Sequence, residues 1–229
     1  MNLPRRLLAE GLGSAYLLAV VVGSGIMAER LAGGNVALAL LANALATGAG
    51  LLALIFTFGG ISGAHFNPAV SMSMAWRRQL PWADLPAYIA VQVAGAFAGV
   101  AAAHFMFGEP LFSASQHARA GLPLCWSEFV ATFGLIGTII GCMRSRPAAT
   151  PYAVAAYITA AYWFTASTSF ANPAVTLARA ASDSFAGIRP FDAPAFIVAQ
   201  LLGAAAATAV FGWLYGPAPS PTAMQGSTE

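Results

Sequence analysis

An all-α membrane protein, with six transmembrane helices and two short re-entrant half-helices in an inverted repeat, is the fold class this sequence predicts. Three observations carry it. The chain is 59% apolar and only 8% charged, where a soluble domain has roughly 25% charged residues. Its longer apolar stretches run about 20 residues, the length that spans a hydrocarbon core of roughly 30 Å. The same order of motifs also occurs twice, each copy with one Asn-Pro-Ala triplet, Asn67-Pro68-Ala69 and Asn172-Pro173-Ala174.

The low charge comes first because it decides the solvent. A chain this poor in charge cannot cover its surface with polar groups, so its surroundings are lipid. The 23 glycines suit helices that pack closely where no hydrophobic force drives them together. The apolar run after Met1-Asn2-Leu3-Pro4-Arg5-Arg6 contains Glu10 and no cleavage site, so it reads as a first span, not a removable leader. Six spans are expected at about 8–28, 35–58, 84–106, 126–143, 151–168 and 192–214. Turn residues separate them: Gly33-Gly34-Asn35, Pro81 and Pro86, Gly108 and Pro110, Pro147 and Pro151. Trp82, Trp126 and Trp213 fall near span ends, as an interfacial aromatic belt requires. One domain is expected over 1–215, with repeats at about 5–107 and 123–215. Residues 216–229 are rich in Pro, Ser and Gly and read as a disordered tail.

All ten basic residues are arginine. With a cytoplasmic N-terminus and six spans, Arg5, Arg6, Arg77, Arg78, Arg144 and Arg146 lie inside, and Arg30, Arg119, Arg179 and Arg189 outside. The outer set is accompanied by Glu29, Glu109, Asp183 and Asp192, the inner set by Asp84. That bias favours both termini in the cytoplasm. No basic cluster exceeds two residues, so nucleic-acid binding is not indicated. Cys125 and Cys142 fall on one apolar stretch; as a helix it separates them by about 25 Å, beyond disulfide reach. They read as small apolar fillers.

Residues 59–78 and 169–190 are apolar enough to enter a membrane but too short to cross it and return. The repeat explains them. Glu10 stands in the first span and Glu128 in the fourth; Gln92-Val93-Ala94-Gly95-Ala96 lies in the third and Gln200-Leu201-Leu202-Gly203-Ala204 in the sixth. Three spans per half is an odd number, so the halves insert in opposite orientations, an arrangement that puts a substrate site near the bilayer midplane at discontinuous helices.

Each triplet marks a helix start. Pro has a fixed φ and no N–H, which suits the first helical position, and Asn before it is a strong N-cap. A single Asn-Pro-Ala is an ordinary surface helix start; two at equivalent places in an inverted repeat are not. Two half-helices entering from opposite faces bring both positive dipole ends to the midplane. Non-helical backbone is tolerated there only where it lines a polar cavity. Asn67 and Asn172 then offer amide donors to a permeant oxygen, Ala69 and Ala174 let the two starts meet, and the dipoles repel cations.

The run Ile61-Ser62-Gly63-Ala64-His65-Phe66-Asn67-Pro68-Ala69-Val70 resembles the first signature loop of the major intrinsic protein (aquaporin) family, and the resemblance covers about 5–215. It implies a bundle of six helices and two half-helices that assembles as a homotetramer with one pore per subunit. It further implies that Glu10 and Glu128 are buried carboxylates accepting backbone N–H groups of the re-entrant loops. An intramembrane acid is otherwise a proton-relay candidate, but the symmetric pairing favours scaffold. His65 would line the inner pore; packing is its alternative role.

The second loop departs from the family pattern. Where the family usually has Arg after the second Asn-Pro-Ala, this chain has Val175. By the family's spacing, the other positions of the narrow filter are Thr47, Ala160 and Ser169. None is large, aromatic or cationic, so the expected filter is wide and suits neutral molecules with both methyl and hydroxyl surfaces. Arg179, one turn after Val175, is expected to pair with Asp183 at the vestibule rim, the alternative being that it reaches the filter. The run from Asn172 to Arg179, with the long segment after it, looks like that of the bacterial subgroup associated with arsenic-resistance operons, which implies neutral arsenicals, such as arsenous acid or methylated forms, as solutes. Glycerol or another small polyol with water is the alternative.

Partners are therefore small neutral solutes, water and the lipid of a bacterial inner (plasma) membrane. No cofactor and no metal are expected, and no nucleophile–base pair suggests an enzyme. An ion-coupled transporter would need intramembrane acids besides Glu10 and Glu128, and a structural or adhesive protein would need an occluded pore.

Overall fold

A computed structural model of the chain describes residues 1–216. It is helical throughout, and among the described residues eight α-helices follow in the order α1 (Leu3–Leu31), α2 (Val36–Ser62), α3 (Pro68–Trp76), α4 (Leu85–Phe107), α5 (Leu122–Ser145), α6 (Thr150–Phe164), α7 (Pro173–Arg179) and α8 (Ala193–Tyr215). Five of these, α1, α2, α4, α5 and α8, are long and apolar enough to cross a membrane. Of the tail expected over 216–229, residues 217–229 lie outside the described residues.

The fifth expected span, 151–168, is shorter than the sequence suggested. α6 has 15 residues, about 22 Å at 1.5 Å per residue. A single 3₁₀ turn, Pro147–Ala149, precedes it. It ends at Phe164 because Thr165 takes extended φ/ψ and residues 168, 169 and 171 adopt positive φ, which cannot continue a right-handed helix.

The order long, long, short, long occurs in α1–α4 and again in α5–α8. Within each half the first and last helices pack tightly, α1 on α4 and α5 on α8, and α2 meets α6 between the halves. Glycine makes the first contacts close. A Cβ on Gly95 would overlap the Gly11 carbonyl, and one on Gly203 the Phe129 carbonyl. These are the glycines of the two Gln-x-x-Gly-Ala runs, so the repeated motif is a helix-crossing motif. Cys125 and Cys142 are free, near opposite ends of α5. Trp82, Trp126 and Trp213 are exposed.

The pore loops and the outer constriction

Each triplet begins a half-helix as its residues dictate. Asn67 caps α3 by accepting from Ala69 N–H at 2.9 Å. Asn172 caps α7 by accepting from Ala174 N–H at 3.0 Å and Val175 N–H at 3.3 Å. The two amides then cross over. Asn67 Nδ2 donates to the Ala171 carbonyl at 2.7 Å, and Asn172 Nδ2 to the Phe66 carbonyl at 2.8 Å. Each NH₂ group keeps its second hydrogen for another partner, and both asparagines line the central cavity. Ala69 and Ala174 are buried at the meeting point of the two helix starts.

The loops before the triplets share an unusual backbone. Gly63, Ala64 and Phe66 have positive φ in the first, and Thr168, Ser169 and Ala171 in the second. Five of these six residues carry a Cβ, so the conformation is held at a cost of about 1–3 kcal/mol per residue by its surroundings. Two buried carboxylates hold it. Glu10 accepts from Ser62 Oγ (2.6 Å), His65 N (2.9 Å), Phe66 N (2.7 Å) and Gln92 Nε2 (2.8 Å). Glu128 accepts from Phe170 N (2.9 Å), Ala171 N (2.8 Å) and Gln200 Nε2 (2.6 Å). The same two glutamines reach the half-helices, Gln92 to Ser71 Oγ and Gln200 to Thr176 Oγ1. With their lone pairs occupied by loop donors, Glu10 and Glu128 fix backbone.

A second tie runs from the helix that follows each loop. Asp84, at the start of α4, pairs with Arg6 at 2.9 Å; Arg6 Nε donates to Tyr88 Oη, and Tyr88 donates to the Ser62 carbonyl at 3.0 Å. Asp192, at the start of α8, accepts from Arg119 N at 2.8 Å; the Arg119 guanidinium donates to the Gly187 carbonyl (2.8 Å) and the Ser167 carbonyl (3.2 Å). Each half thus grips its pore-loop serine carbonyl, once through tyrosine and once through arginine directly.

The central cavity, about 140 Å³, runs between the halves. His65 lines it on the side of the chain's N-terminus, with Nδ1 3.0 Å from Ser71 Oγ. Thr47, Ser169 and Val175 line it beyond the triplets. Two expectations are corrected. Ala160 is exposed on the outer side of α6; Val154, Ile158 and Tyr162 line the cavity instead. Residues four apart share a face, and residue 160 stands about 200° away from both 158 and 162. Tyr162 lines the cavity and its hydroxyl lies 3.2 Å from Thr47 Oγ1, so this part of the wall is aromatic.

The second correction concerns Arg179 and Asp183. They form no ion pair: Asp183 is exposed and accepts from Gln116 N, whereas Arg179 is 2% exposed and lines the cavity. Its guanidinium lies 3.4 Å from the centroid of the Phe170 ring, and its Nε donates to the Ala186 carbonyl. Arg119 stands 5.0 Å from the same ring. The cavity wall therefore contains an arginine, one turn beyond the position where the sequence lacks one.

Tyr162, Phe170 and Arg119 were not anticipated. The Val154-Ile158-Tyr162 stripe, spaced by four, was a readable signal for Tyr162. Phe170 precedes Asn172 by two, as His65 precedes Asn67, so the repeat points to it. Nothing in the sequence around Arg119 marks it.

This arrangement, two capped half-helices meeting end to end beside a lined cavity, is that of a membrane channel. The sequence profile of the Major intrinsic protein family matches residues 1–151 and 143–228. The chain belongs to that family, and is a channel and not an enzyme. Aquaglyceroporin AqpS of Rhizobium meliloti (strain 1021) is 53% identical over 229 residues, 100% of this chain and 97% of that one. Aquaporin NIP1-1 of Oryza sativa subsp. japonica is 36% identical over 100 residues, 43% of this chain and 35% of its own length. The X-ray structure of the aquaglyceroporin from Plasmodium falciparum shares the fold, with a TM-score of 0.70 at 20% identity over 92% of this chain and 96% of that one.

Proposed function

We propose that this multi-pass membrane protein passes small neutral hydroxylated solutes down their gradients, metalloid hydroxides such as arsenous acid and methylated arsenicals among them, with some water. The two-sided chemistry of the constriction carries the reading. Val175 and the rings of Tyr162 and Phe170 offer apolar surface, while Thr47, the Tyr162 hydroxyl and Arg179 offer hydrogen-bonding groups. A solute with carbon or metalloid bulk and hydroxyl edges satisfies both. At the midplane, the free amide hydrogens of Asn67 and Asn172 replace part of its hydration shell. Glycerol and small polyols meet the same requirements, and the name of the Rhizobium meliloti relative, an aquaglyceroporin, points to them.

Ion coupling has no support in the pore acids, because Glu10 and Glu128 are occupied by loop donors. We further propose a homotetramer in a bacterial plasma membrane with both termini cytoplasmic, on the arginine asymmetry and the family resemblance. A stopped-flow panel on proteoliposomes, with water, glycerol, urea, arsenite and methylarsonous acid, tests the function. Flux linear in the solute gradient and indifferent to proton or sodium gradients is expected. Absence of flux for every solute would overturn the channel reading, and flux of water alone would overturn the wide substrate range.

A further inference from the structure

Two buried guanidiniums flank the Phe170 ring, and the structure treats them differently. Arg119 has its side-chain donors turned to the Gly187 and Ser167 carbonyls and to Thr168 Oγ1; it braces the loops. Arg179 gives only Nε to protein, at Ala186. Its two terminal nitrogens find no acceptor among the described residues, and they are not among the buried polar atoms sealed away from any partner. They open on the cavity that Thr47, Tyr162, Ser169 and Val175 also line.

Arg179 is also uncompensated. The ion pairs among the described residues are Arg6–Asp84, Arg30–Glu109 and Arg189–Asp192, and none includes it. Asp183, the nearest acid in sequence, faces away to Gln116 N. The Phe170 face against the guanidinium fixes its plane without quenching its charge, a cation–π contact being worth only about 0.5–2 kcal/mol. A fixed, unpaired, oriented cation with free donors at the narrow part of a pore acts on whatever passes.

We propose that Arg179 is the charge of the outer constriction, displaced one helical turn from the position after the second triplet: it donates to oxygens of the passing neutral solute and rejects cations, hydronium included. The Val175 side chain leaves the space through which Arg179 acts. The same helix thus supplies charge and width from residues four apart, where a single arginine after the triplet would supply the charge and take the width. This assignment rests on the channel reading above and names the residue that sets its charge selectivity.

The test is a ratio, cation leak to glycerol flux, measured on the same proteoliposomes with a pH-sensitive dye for protons, a sodium indicator and light scattering for glycerol. Arg179→Gln should raise the ratio at least about tenfold, since a unit charge a few ångströms away in a medium of intermediate dielectric shifts a barrier by more than that factor requires. Arg179→Lys, which keeps the charge, should stay within about twofold of wild type by the same reasoning. The double variant Val175→Arg with Arg179→Gln should bring the cation leak per channel itself back toward wild type, read without the glycerol denominator because an arginine at 175 also takes width; a residue that merely held the loop would not be replaced from there. Val175→Glu, which keeps Arg179 but sets a carboxylate one turn before it, should raise the ratio like Arg179→Gln and serves if that variant does not fold. A wild-type ratio in Val175→Glu or Arg179→Gln, a raised ratio in Arg179→Lys, or no recovery in the double variant would overturn the assignment. No flux of any solute in the wild type, water included, would instead overturn the channel reading.

Discussion

The two pore loops have the same backbone and different chemistry. Each has its string of positive-φ residues, its capping asparagine, its buried glutamate and its glutamine. In the first loop the residue two before the asparagine is His65, beside Tyr88 at 5.6 Å. In the second it is Phe170, edge-on to Phe196 at 5.4 Å and flanked by Arg119 and Arg179. The symmetric part holds the midplane, where any permeant solute meets the same crossed amides. The asymmetric part gives one mouth a histidine and the other a phenylalanine with two arginines. On the function proposed above, fold and selectivity are carried by different residues of the same loops, and each can be broken separately.

The largest effect is expected at the carboxylates. Glu10→Ala and Glu128→Ala each strand two buried backbone N–H groups and a glutamine amide, at about 1–3 kcal/mol for every donor left without a partner. Both variants should lose most of their folded protein. Glu10 has one bond more than Glu128, from Ser62 Oγ, so Glu10→Ala should unfold at the lower temperature in detergent. Equal midpoints would mean that the Ser62 bond adds nothing and that the loops are held alike. Glycerol flux of whatever folded protein remains should fall with it.

A smaller and more selective effect is expected in the second loop. Val175 is buried and lines the cavity. Val175→Arg with Arg179 in place crowds two guanidiniums into that space. Glycerol and methylarsonous acid flux should drop by about tenfold, which is roughly 1.4 kcal/mol of barrier, and water flux by much less. Equal loss of both, or no change, would count against Val175 in the narrow part. The matching change in the first loop, Val70→Arg, has no arginine one turn on to crowd, residue 74 being Met74, so the selectivity shift should belong to the second loop alone.

How much of this the sequence showed follows the same division. The repeat, the triplets and the glutamine runs are readable because each is a local chemical requirement, a helix cap or a close crossing, whereas the acceptor role of Glu10 and Glu128 came from the family resemblance, their partners lying 42 to 56 residues away. Ala160 was misplaced because it was counted back from Asn172 across the 165–171 loop, where helical spacing no longer holds; α6 stops at Phe164. The stripe of Val154, Ile158 and Tyr162 depends only on helix geometry and gives the correct face. Arg179 was expected at the rim with Asp183 on i,i+4 spacing, but α7 ends at Arg179, so Asp183 lies beyond the helix and that spacing has no meaning there. Arg119 is 60 residues before Arg179 in sequence, and only the fold brings both to Phe170.

The smallest expected effect concerns the tie of the second loop, and it depends on pH. Asp192 takes Arg119 N at 2.8 Å and Arg189 at 3.2 and 2.9 Å. Burial pushes its carboxyl up, but the Arg189 hydrogen bonds and the Arg119 N–H outweigh it and hold the carboxyl below the usual aspartate range. A carboxyl depressed in the folded state contributes stability above its unfolded pKa, about 3.9, and loses it as pH falls through the lower folded value. Asp192→Asn should therefore lower the thermal midpoint at neutral pH and converge with wild type at acid pH below that range. Because Asp192 holds Arg119, and Arg119 holds the Ser167 carbonyl, the variant should also loosen the second loop and slow solute flux slightly, while leaving the first loop's Arg6–Tyr88 tie intact. A gap between the two midpoints that persists unchanged into strong acid would show that the carboxylate's charge is not what ties Arg119 to α8.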